Sequence, residues 1–208
     1  MARINLKPSE GPTPESKSAM AVVGRDYQII ELIESCGYDY VGYFDRDDVG
    51  LGRLGVDTDS GDDLYNRVFG MHMPAARENL WDYHAQHIVT LVHPQAHISE
   101  TVNIGQGVTV QMNCTLLAHA KIGHGCQINF GATVHHQSRV EPFVTLAPHS
   151  VVLGRVRIGT GAYIGAGAII REDCCIGARA MVGAGAVVVS DIPAGATVVG
   201  VPAKPLSK

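Results

Sequence analysis

The sequence has 208 residues, of which 46% are hydrophobic, and a formal net charge of -4. This length and apolar content suffice for one large domain or two small ones with a buried core. The sixteen Lys and Arg residues are scattered and are outnumbered by twenty acidic residues, so neither nucleic acid nor an anionic membrane surface is an expected partner. The sequence contains no run of about 18 apolar residues, which is the length that a membrane-spanning helix needs.

The front of the chain divides into two predicted segments. Residues 1–19 are rich in Pro and Ser and lack the apolar segment of an export signal, which predicts a flexible leader on a cytoplasmic protein. Residues 20–87 predict a small α/β domain, with a strand at 20–24, an amphipathic helix at 26–37 and a second strand at 40–45. This βαβ order is typical of a nucleotide-binding half-domain. Residues 45–67 are rich in Gly and Asp and predict loop, and a short helix is predicted inside 74–86.

A period of six residues dominates the rest of the chain, residues 88–208. A branched aliphatic residue recurs at every sixth position over sixteen hexads, from Ile98 to Val188, and the fifth position of each hexad is mostly small. The second position is Gly six times, as we expect where a tight turn favours a residue without Cβ. Since the apolar stripe of a helix recurs every three to four residues, this pattern instead predicts three short strands per 18-residue coil, stacked as a parallel β-helix.

The small fifth position also explains three of the five cysteines. Cys114, Cys126 and Cys174 all occupy it, so we expect them to fill the interior column rather than to react as thiols. The five cysteines fit neither a disulfide framework nor a four-ligand zinc site.

The repeat, the segment GATVHHQ (131–137) and the ending VGAGAVVVSDIPAGATVVGVPAKPL (182–206) resemble the bacterial hexapeptide-repeat sugar acetyltransferases. That family includes sialic-acid O-acetyltransferases and nucleotide-amino-sugar N-acetyltransferases. The resemblance implies a mainly β protein, a left-handed parallel β-helix preceded by a small βαβ Rossmann-like domain, assembled as a homotrimer with acetyl-CoA between neighbouring subunits. It further implies acetyl transfer to an amino group of a nucleotide-linked sugar in bacterial surface-glycan biosynthesis.

Two adjacent histidines, His135 and His136, interrupt the small and apolar run. Residues eighteen apart lie above one another on neighbouring coils, about 4.8 Å apart. His136 then stacks between Ala118 and Gly154, which leaves room for a ligand, whereas His135 stacks between two leucines and is expected to be structural. The resemblance also aligns His136 with the catalytic base of the family. We therefore expect His136 to take the proton of the attacking acceptor group.

Gln137 stands where relatives commonly carry Asp or Glu. Its carbonyl can accept a hydrogen bond from the imidazole and fix the tautomer, but it offers no negative charge to stabilise an imidazolium. Arg155, stacked above it, would weaken the base further. Either an easier acceptor such as an amine or a chain that has lost activity would be consistent with this replacement.

The other site residues are implied by the resemblance alone. Acetyl-CoA contacts, largely through backbone, map to Thr145, Gly154, Ala166 and Ala184. Acceptor contacts map to Asn129, Asp45, Gly24 and Arg25. Each Gly or Ala is equally explained as a repeat position, and Asn129 as a hydrogen-bonded turn residue. The turn after the first strand is about four residues shorter than in relatives, so the loop that would approach a pyrophosphate is missing or rebuilt.

Three alternatives stay open on the sequence. One is a sugar O-acetyltransferase of the sialic-acid type. Another is a zinc enzyme, because His119 and His124 resemble the paired ligands of gamma-class carbonic anhydrases; a catalytic zinc needs three protein ligands, however, and no metal site is therefore expected. The last is an inactive β-helix scaffold, suggested by Gln137 and by the shortened turn at Gly24.

Overall fold

The computed structural model describes residues 19–24, 26–45, 53–55 and 65–206. The predicted leader lies outside the described residues except for Ala19, and Arg25 lies outside them as well. The elements before the coils are β1 (Ala19–Val23), α1 (Tyr27–Ser35), β2 (Asp39–Phe44), β3 (Arg53–Gly55), β4 (Asn66–Phe69) and α2 (Pro74–His84).

Strands β1 to β4 form a parallel sheet in the order β3-β2-β1-β4. Helix α1 begins at the N-cap Asp26, whose carboxylate accepts a hydrogen bond from the Gln28 backbone at 2.9 Å. It buries Ile29, Leu32 and Ile33 against the sheet, while Ile30 is only partly buried. The helix predicted inside residues 74–86 is confirmed as α2.

The loop prediction for residues 45–67 was wrong at β3 and at the first two residues of β4. Strand β4 pairs with β1 over four residues and is mostly buried. Its buried polar residue is Arg67, whose guanidinium lies 2.7 Å from His84 Nδ1 and covers the ring of Phe44 at 4.5 Å. Because this arginine is buried with its partners, the strand lacks the alternation of buried apolar and exposed polar residues by which a strand is recognised in a sequence.

Nineteen short strands build the coils. They are β5 (Leu91–Val92), β6 (His97–Ile98), β7 (Asn103–Ile104), β8 (Thr109–Val110), β9 (Thr115–Leu116), β10 (Lys121–Ile122), β11 (Gln127–Ile128), β12 (Thr133–Val134), β13 (Arg139–Val140), β14 (Thr145–Leu146), β15 (Val151–Val152), β16 (Arg157–Ile158), β17 (Tyr163–Ile164), β18 (Ile169–Ile170), β19 (Cys175–Ile176), β20 (Met181–Val182), β21 (Val187–Val188), β22 (Thr197–Val199) and β23 (Lys204–Pro205).

The coils form a three-sided prism, which confirms the predicted left-handed parallel β-helix. Face 1 contains β5, β8, β11, β14, β17, β20, β22 and β23; face 2 contains β6, β9, β12, β15, β18 and β21; face 3 contains β7, β10, β13, β16 and β19. From β5 to β21 the strands pair in parallel at eighteen-residue spacing, as where Thr133 lies between Thr115 and Val151, whereas β22 pairs with β20 at sixteen residues and β23 runs antiparallel to β22. The aliphatic and small positions, including Cys114, Cys126 and Cys174, line the interior as predicted.

Three corners separate the faces. Corner 1 joins faces 1 and 2 and contains the turns around residues 93–96, 111–114, 129–132, 147–150, 165–168 and 183–186. Corner 2 joins faces 2 and 3 at the turns around 99–102, 117–120, 135–138, 153–156 and 171–174. Corner 3 joins faces 3 and 1 at the turns around 105–108, 123–126, 141–144, 159–162 and 177–180.

The turns correct the reason given for the repeated glycines. The left-handed backbone falls at the fourth hexad position, as in His119 (φ 61°) and Gln137 (φ 60°), and not at the second. A second-position glycine is required by close packing instead, because a Cβ on Gly123 would lie 2.5 Å from the backbone nitrogen of Pro142 on the next coil.

Helix α2 fixes the sheet to the prism. Its Arg77 is fully buried and donates seven hydrogen bonds of 2.6–3.3 Å, to the carbonyls of Met71, His72, Gly125, Phe143 and Val144 and to the side-chain oxygens of Gln127 and Thr145. Burial lowers the pKa of Arg77 to about 10. Neither helix in the described ranges has the length and apolar character needed to cross a membrane.

Candidate active site

His136 projects from corner 2 into solvent. Its Nδ1 lies 3.3 Å from the side-chain oxygen of Gln137. Because an amide oxygen can only accept, the ring must carry its proton on Nδ1, and Nε2 keeps a free lone pair. The left-handed backbone at Gln137 places the two side chains next to each other. When the ring is neutral, this arrangement leaves its basic Nε2 open to solvent.

The imidazole itself occupies the space that a side chain on Gly154 would fill. A Cβ built on Gly154 would lie 2.8 Å from both Cε1 and Nε2 of His136 and 3.4 Å from Nδ1. The sequence analysis expected the small residues around His136 to leave space for a ligand. The imidazole of His136 fills that space instead, directly beside Gly154. His135, by contrast, is half-buried.

Arg155 is paired, which changes its predicted effect on His136. Its Nε and Nη2 donate to the two carboxylate oxygens of Asp173 at 2.6 and 2.7 Å. This contact holds the pKa of Asp173 below its ordinary value and the pKa of Arg155 above it. The positive charge of Arg155 is therefore neutralised by a carboxylate that also interacts electrostatically with His136.

Three predicted site residues lie at corner 1 rather than corner 2. Ala166 and Ala184 are exposed there. Asn129 is buried and donates its amide to the Leu146 carbonyl at 3.0 Å, which matches the turn-residue interpretation. Within one chain, these three positions and His136 therefore lie at opposite edges of face 2.

Thr145 lies on face 1 and not at either of these corners. It is fully buried, its hydroxyl donates to the His72 carbonyl at 2.7 Å, and the same oxygen accepts from Arg77 at 2.9 Å. Its hydroxyl therefore belongs to the contact between α2 and the prism, and Thr145 offers no polar atom to a cofactor.

Gly24 and Asp45 meet at the carboxyl ends of β1 and β2. The backbone nitrogen of Gly24 donates to the Phe44 carbonyl at 2.7 Å, and Asp45 follows directly. At the same edge, Asp26 lies 3.1 Å from His72 Nε2, and its hydrogen bond raises the pKa of His72. Sequence reasoning missed this pair, although an Asp just after a strand and before a helix is an N-cap signal.

The histidines of the zinc interpretation lie at different corners. His119 is at corner 2, whereas His124 is at corner 3, where its ring contacts Trp81 and Phe143 at centroid distances of 4.8 Å. Burial lowers the pKa of His124. Within the described part of the chain, no three His, Cys, Asp or Glu side chains are grouped closely enough to hold a metal ion.

The buried thiols have raised pKa values. Burial raises the pKa of Cys114 to about 11 and that of Cys126 to about 12. Both stay protonated at neutral pH, which fits their place in the interior column.

Known proteins match both the repeat and the whole fold. The family model for the bacterial transferase hexapeptide (six repeats) matches residues 101–136 and 155–190. A GDP-perosamine N-acetyltransferase of Escherichia coli is 38% identical over 130 residues, which are 60% of this chain and 59% of that enzyme. This match therefore spans less than two thirds of the curated relative.

Two solved structures are similar over nearly their full length. PerB from Caulobacter crescentus, in complex with CoA and GDP-perosamine, is 30% identical with a TM-score of 0.85, covering 92% of this chain and 98% of that chain. The acetyltransferase domain of PglB from Neisseria gonorrhoeae, in complex with acetyl coenzyme A, is 30% identical with a TM-score of 0.83, covering 90% and 98%.

Proposed function

Because this chain belongs to the hexapeptide-repeat acetyltransferases, we propose that it transfers an acetyl group from acetyl-CoA to an amino group of a nucleotide-linked sugar. Both the E. coli relative and the C. crescentus structure are named for GDP-perosamine, and the latter was solved with CoA and that nucleotide sugar bound. These relatives support an amine acceptor over the hydroxyl of the alternative O-acetyltransferase. The pathway we propose is surface-glycan biosynthesis in the cytoplasm of a bacterium.

The observation that carries the proposal is the open Nε2 of His136. The hydrogen bond from Nδ1 to Gln137 leaves Nε2 as the acceptor of a proton from the attacking amine. The amine nitrogen forms a bond to the thioester carbonyl, and its proton passes to Nε2. The C–S bond then breaks, and the proton returns to the departing thiolate. A turn N–H group stabilises the oxyanion between these steps. No covalent enzyme intermediate is needed.

The proposed donor site joins two copies of the chain. Gly154 lies beside His136 at corner 2, while Ala166 and Ala184 lie exposed at corner 1. A homotrimer that sets corner 2 of one protomer against corner 1 of its neighbour would bring these positions to one groove. We propose that this groove holds the pantetheine arm and that the acceptor nucleotide lies near Gly24, Arg25 and Asp45, with Asn129 closer to the sugar.

An acceptor screen with product analysis tests the proposal. The full-length protein is incubated with acetyl-CoA and with GDP-, UDP- and dTDP-linked amino sugars, each matched to the hydroxyl sugar of the same nucleotide. We expect a mass gain of one acetyl group on an amino sugar and none on its hydroxyl counterpart. Acetylation of the hydroxyl sugars alone would favour the O-acetyltransferase. If CoA is released but none of the acceptors becomes acetylated, acetyl transfer is contradicted.

A further inference from the structure

A second histidine, His149 at corner 1, is seated on a glycine in the same way as His136. A Cβ built on Gly131 would lie 2.5 Å from Nδ1 and 2.6 Å from Cε1 of His149, so the imidazole fills the space that a side chain there would need. The ring also packs edge-on against Phe130 at a centroid distance of 4.8 Å. These two contacts fix the position of the ring.

The backbone at His149 has a conformation that favours glycine. Its φ is 57°, and the left-handed positions above and below it in the same column are Gly131, Gly167 and Gly185, with φ of 65–66°. A residue with a Cβ is less stable in this conformation than glycine is, so an imidazole here is unfavourable for the fold. Strain of this kind is characteristic of positions where the side chain serves function.

The ring nitrogens of His149 are available to a ligand. The side chain is exposed, and neither nitrogen forms a hydrogen bond with any residue in the described part of the chain. The three ring atoms nearest to a Cβ on Gly131 are Nδ1, Cε1 and Cγ, so Nε2 lies farther from Gly131 than Nδ1 does. His149 therefore presents Nε2 to the surroundings of corner 1.

The level of His149 along the prism follows from the repeat. Eighteen residues rise by about 4.8 Å, so the thirteen residues from His136 to His149 correspond to a rise of roughly 3.5 Å. Ala166 lies roughly 4.5 Å higher still. A threefold rotation about an axis parallel to the prism leaves these levels unchanged. In the proposed homotrimer, corner 1 of the neighbouring protomer thus places His149 between the level of His136 and that of the pantetheine groove.

We propose that His149 of the neighbouring protomer stabilises the departing thiolate of CoA. The acetyl group lies at Nε2 of His136 and the pantetheine arm extends toward Ala166, so the sulfur, one bond from the carbonyl carbon, is level with His149. Its Nε2–H donates a hydrogen bond to the sulfur while the C–S bond breaks, and the proton taken up by His136 then passes to that sulfur. A fixed donor lowers the barrier where negative charge develops. This inference rests on the proposed function and adds a residue that a second copy of the chain contributes.

Mixed trimers test whether the two histidines act from different protomers. His149→Asn suits the left-handed backbone, as Asn113 does in the same column, and is too short to replace the imidazole. We expect its homotrimer to lose kcat by about tenfold to a hundredfold, with the KM of acetyl-CoA within about threefold of the wild type. Co-expression of His149→Asn and His136→Asn chains with different tags gives trimers that each contain one groove with both histidines. These mixed trimers should recover about one third of the wild-type activity.

Two further variants serve as controls. His149→Gly restores the glycine of the column and should lose kcat as His149→Asn does. His119→Asn makes the same chemical change at an exposed residue with the same backbone (φ 61°), but at corner 2 and below the level of His136, and should keep kcat within about threefold. Size-exclusion chromatography and thermal unfolding verify that each variant is a folded trimer.

Three results would overturn the role of His149. They are an unchanged kcat in His149→Asn and His149→Gly, mixed trimers that are no more active than the His136→Asn homotrimer, and a monomeric wild type. A trimeric wild type that transfers no acetyl group to any acceptor would instead contradict the proposed function itself, so the two failures are distinguishable.

Discussion

Arg77 should be the most sensitive position for stability. In Arg77→Met the apolar stem is retained and the guanidinium is lost. Among its acceptors, Val144 and His72 keep a second hydrogen bond, whereas the carbonyls of Met71, Gly125 and Phe143 lose the donor that the described residues provide. Each unsatisfied buried carbonyl is unfavourable by about 1–3 kcal/mol.

Two opposing effects set the size of this loss. Lowering the pKa of Arg77 from 12.5 to about 10 corresponds to about 3 kcal/mol of desolvation, which the substitution removes. The five N–H groups of the guanidinium share its seven contacts and together more than offset that penalty, since one hydrogen bond from a charged donor contributes about 1.5–3 kcal/mol. We therefore expect Arg77→Met to lower the free energy of unfolding by about 3 kcal/mol or more, and Arg77→Lys by less, because an ammonium replaces only some of the donors.

Urea unfolding followed by circular dichroism, with linear extrapolation to water, measures this loss. Arg139→Met is the matched control, because Arg139 is exposed on face 3 and its replacement should change stability by no more than about 0.5 kcal/mol. A loss below about 1 kcal/mol in Arg77→Met would refute the reasoning that this side chain fixes the sheet to the prism.

Three further predictions concern the candidate site and its surroundings. Gln137→Glu places a negative charge about 3.3 Å from Nδ1 of His136, worth about 1.3 kcal/mol in water, and should raise kcat about fivefold to tenfold in steady-state assays. Gly154→Ala should lower kcat about tenfold to hundredfold, because its Cβ displaces the imidazole, and should raise the KM of acetyl-CoA by a smaller factor, because Gly154 also lines the proposed donor groove. The His72–Asp26 pair should stabilise the protein fully below pH 6.5 and progressively less as pH rises through the raised pKa of His72, so the Tm difference between wild type and His72→Gln should shrink from pH 6 to pH 9.

Each of these has a contrary outcome. An unchanged or lower kcat in Gln137→Glu would mean that imidazolium charge does not limit the reaction. Equal losses in kcat and acetyl-CoA binding in Gly154→Ala would assign this glycine to the cofactor rather than to the position of the imidazole. A pH-independent Tm difference for His72→Gln would show that protonation of His72 contributes nothing to folding.

The sequence period predicted most of the β-helix, because one residue spacing determines both the strands and their partners. Eighteen-residue stacking correctly placed His136 next to Gly154 and Arg155 above Gln137. It also allowed an interpretation of Gln137 as the acceptor that orients the ring, a geometry that the 3.3 Å contact supports. The period predicts which residues are stacked on neighbouring coils but not the direction of their side chains. It therefore could not predict that the imidazole of His136 fills the space that a side chain on Gly154 would occupy.

The residues that sequence reasoning missed are polar groups whose partners come from other elements of the fold, and two of them, Arg67 and Arg77, are fully buried. Arg77, Arg67 and His72 look like surface residues in a short helix, a strand and a loop, and only the tertiary fold supplies their partners. Thr145 was assigned to the cofactor by resemblance, but its environment depends on α2, which packs on face 1 at that level. Contacts between elements distant in sequence carry no local signal.

The most direct test of the account is the reaction of His136→Asn with the amino sugar identified by the acceptor screen. Asparagine keeps a polar group of similar position and has no basic nitrogen. The account predicts that kcat falls by about a hundredfold or more while the affinity for acetyl-CoA stays within about threefold of the wild type. A kcat within about tenfold of the wild type, with acetyl-CoA still bound, would contradict His136 as the general base.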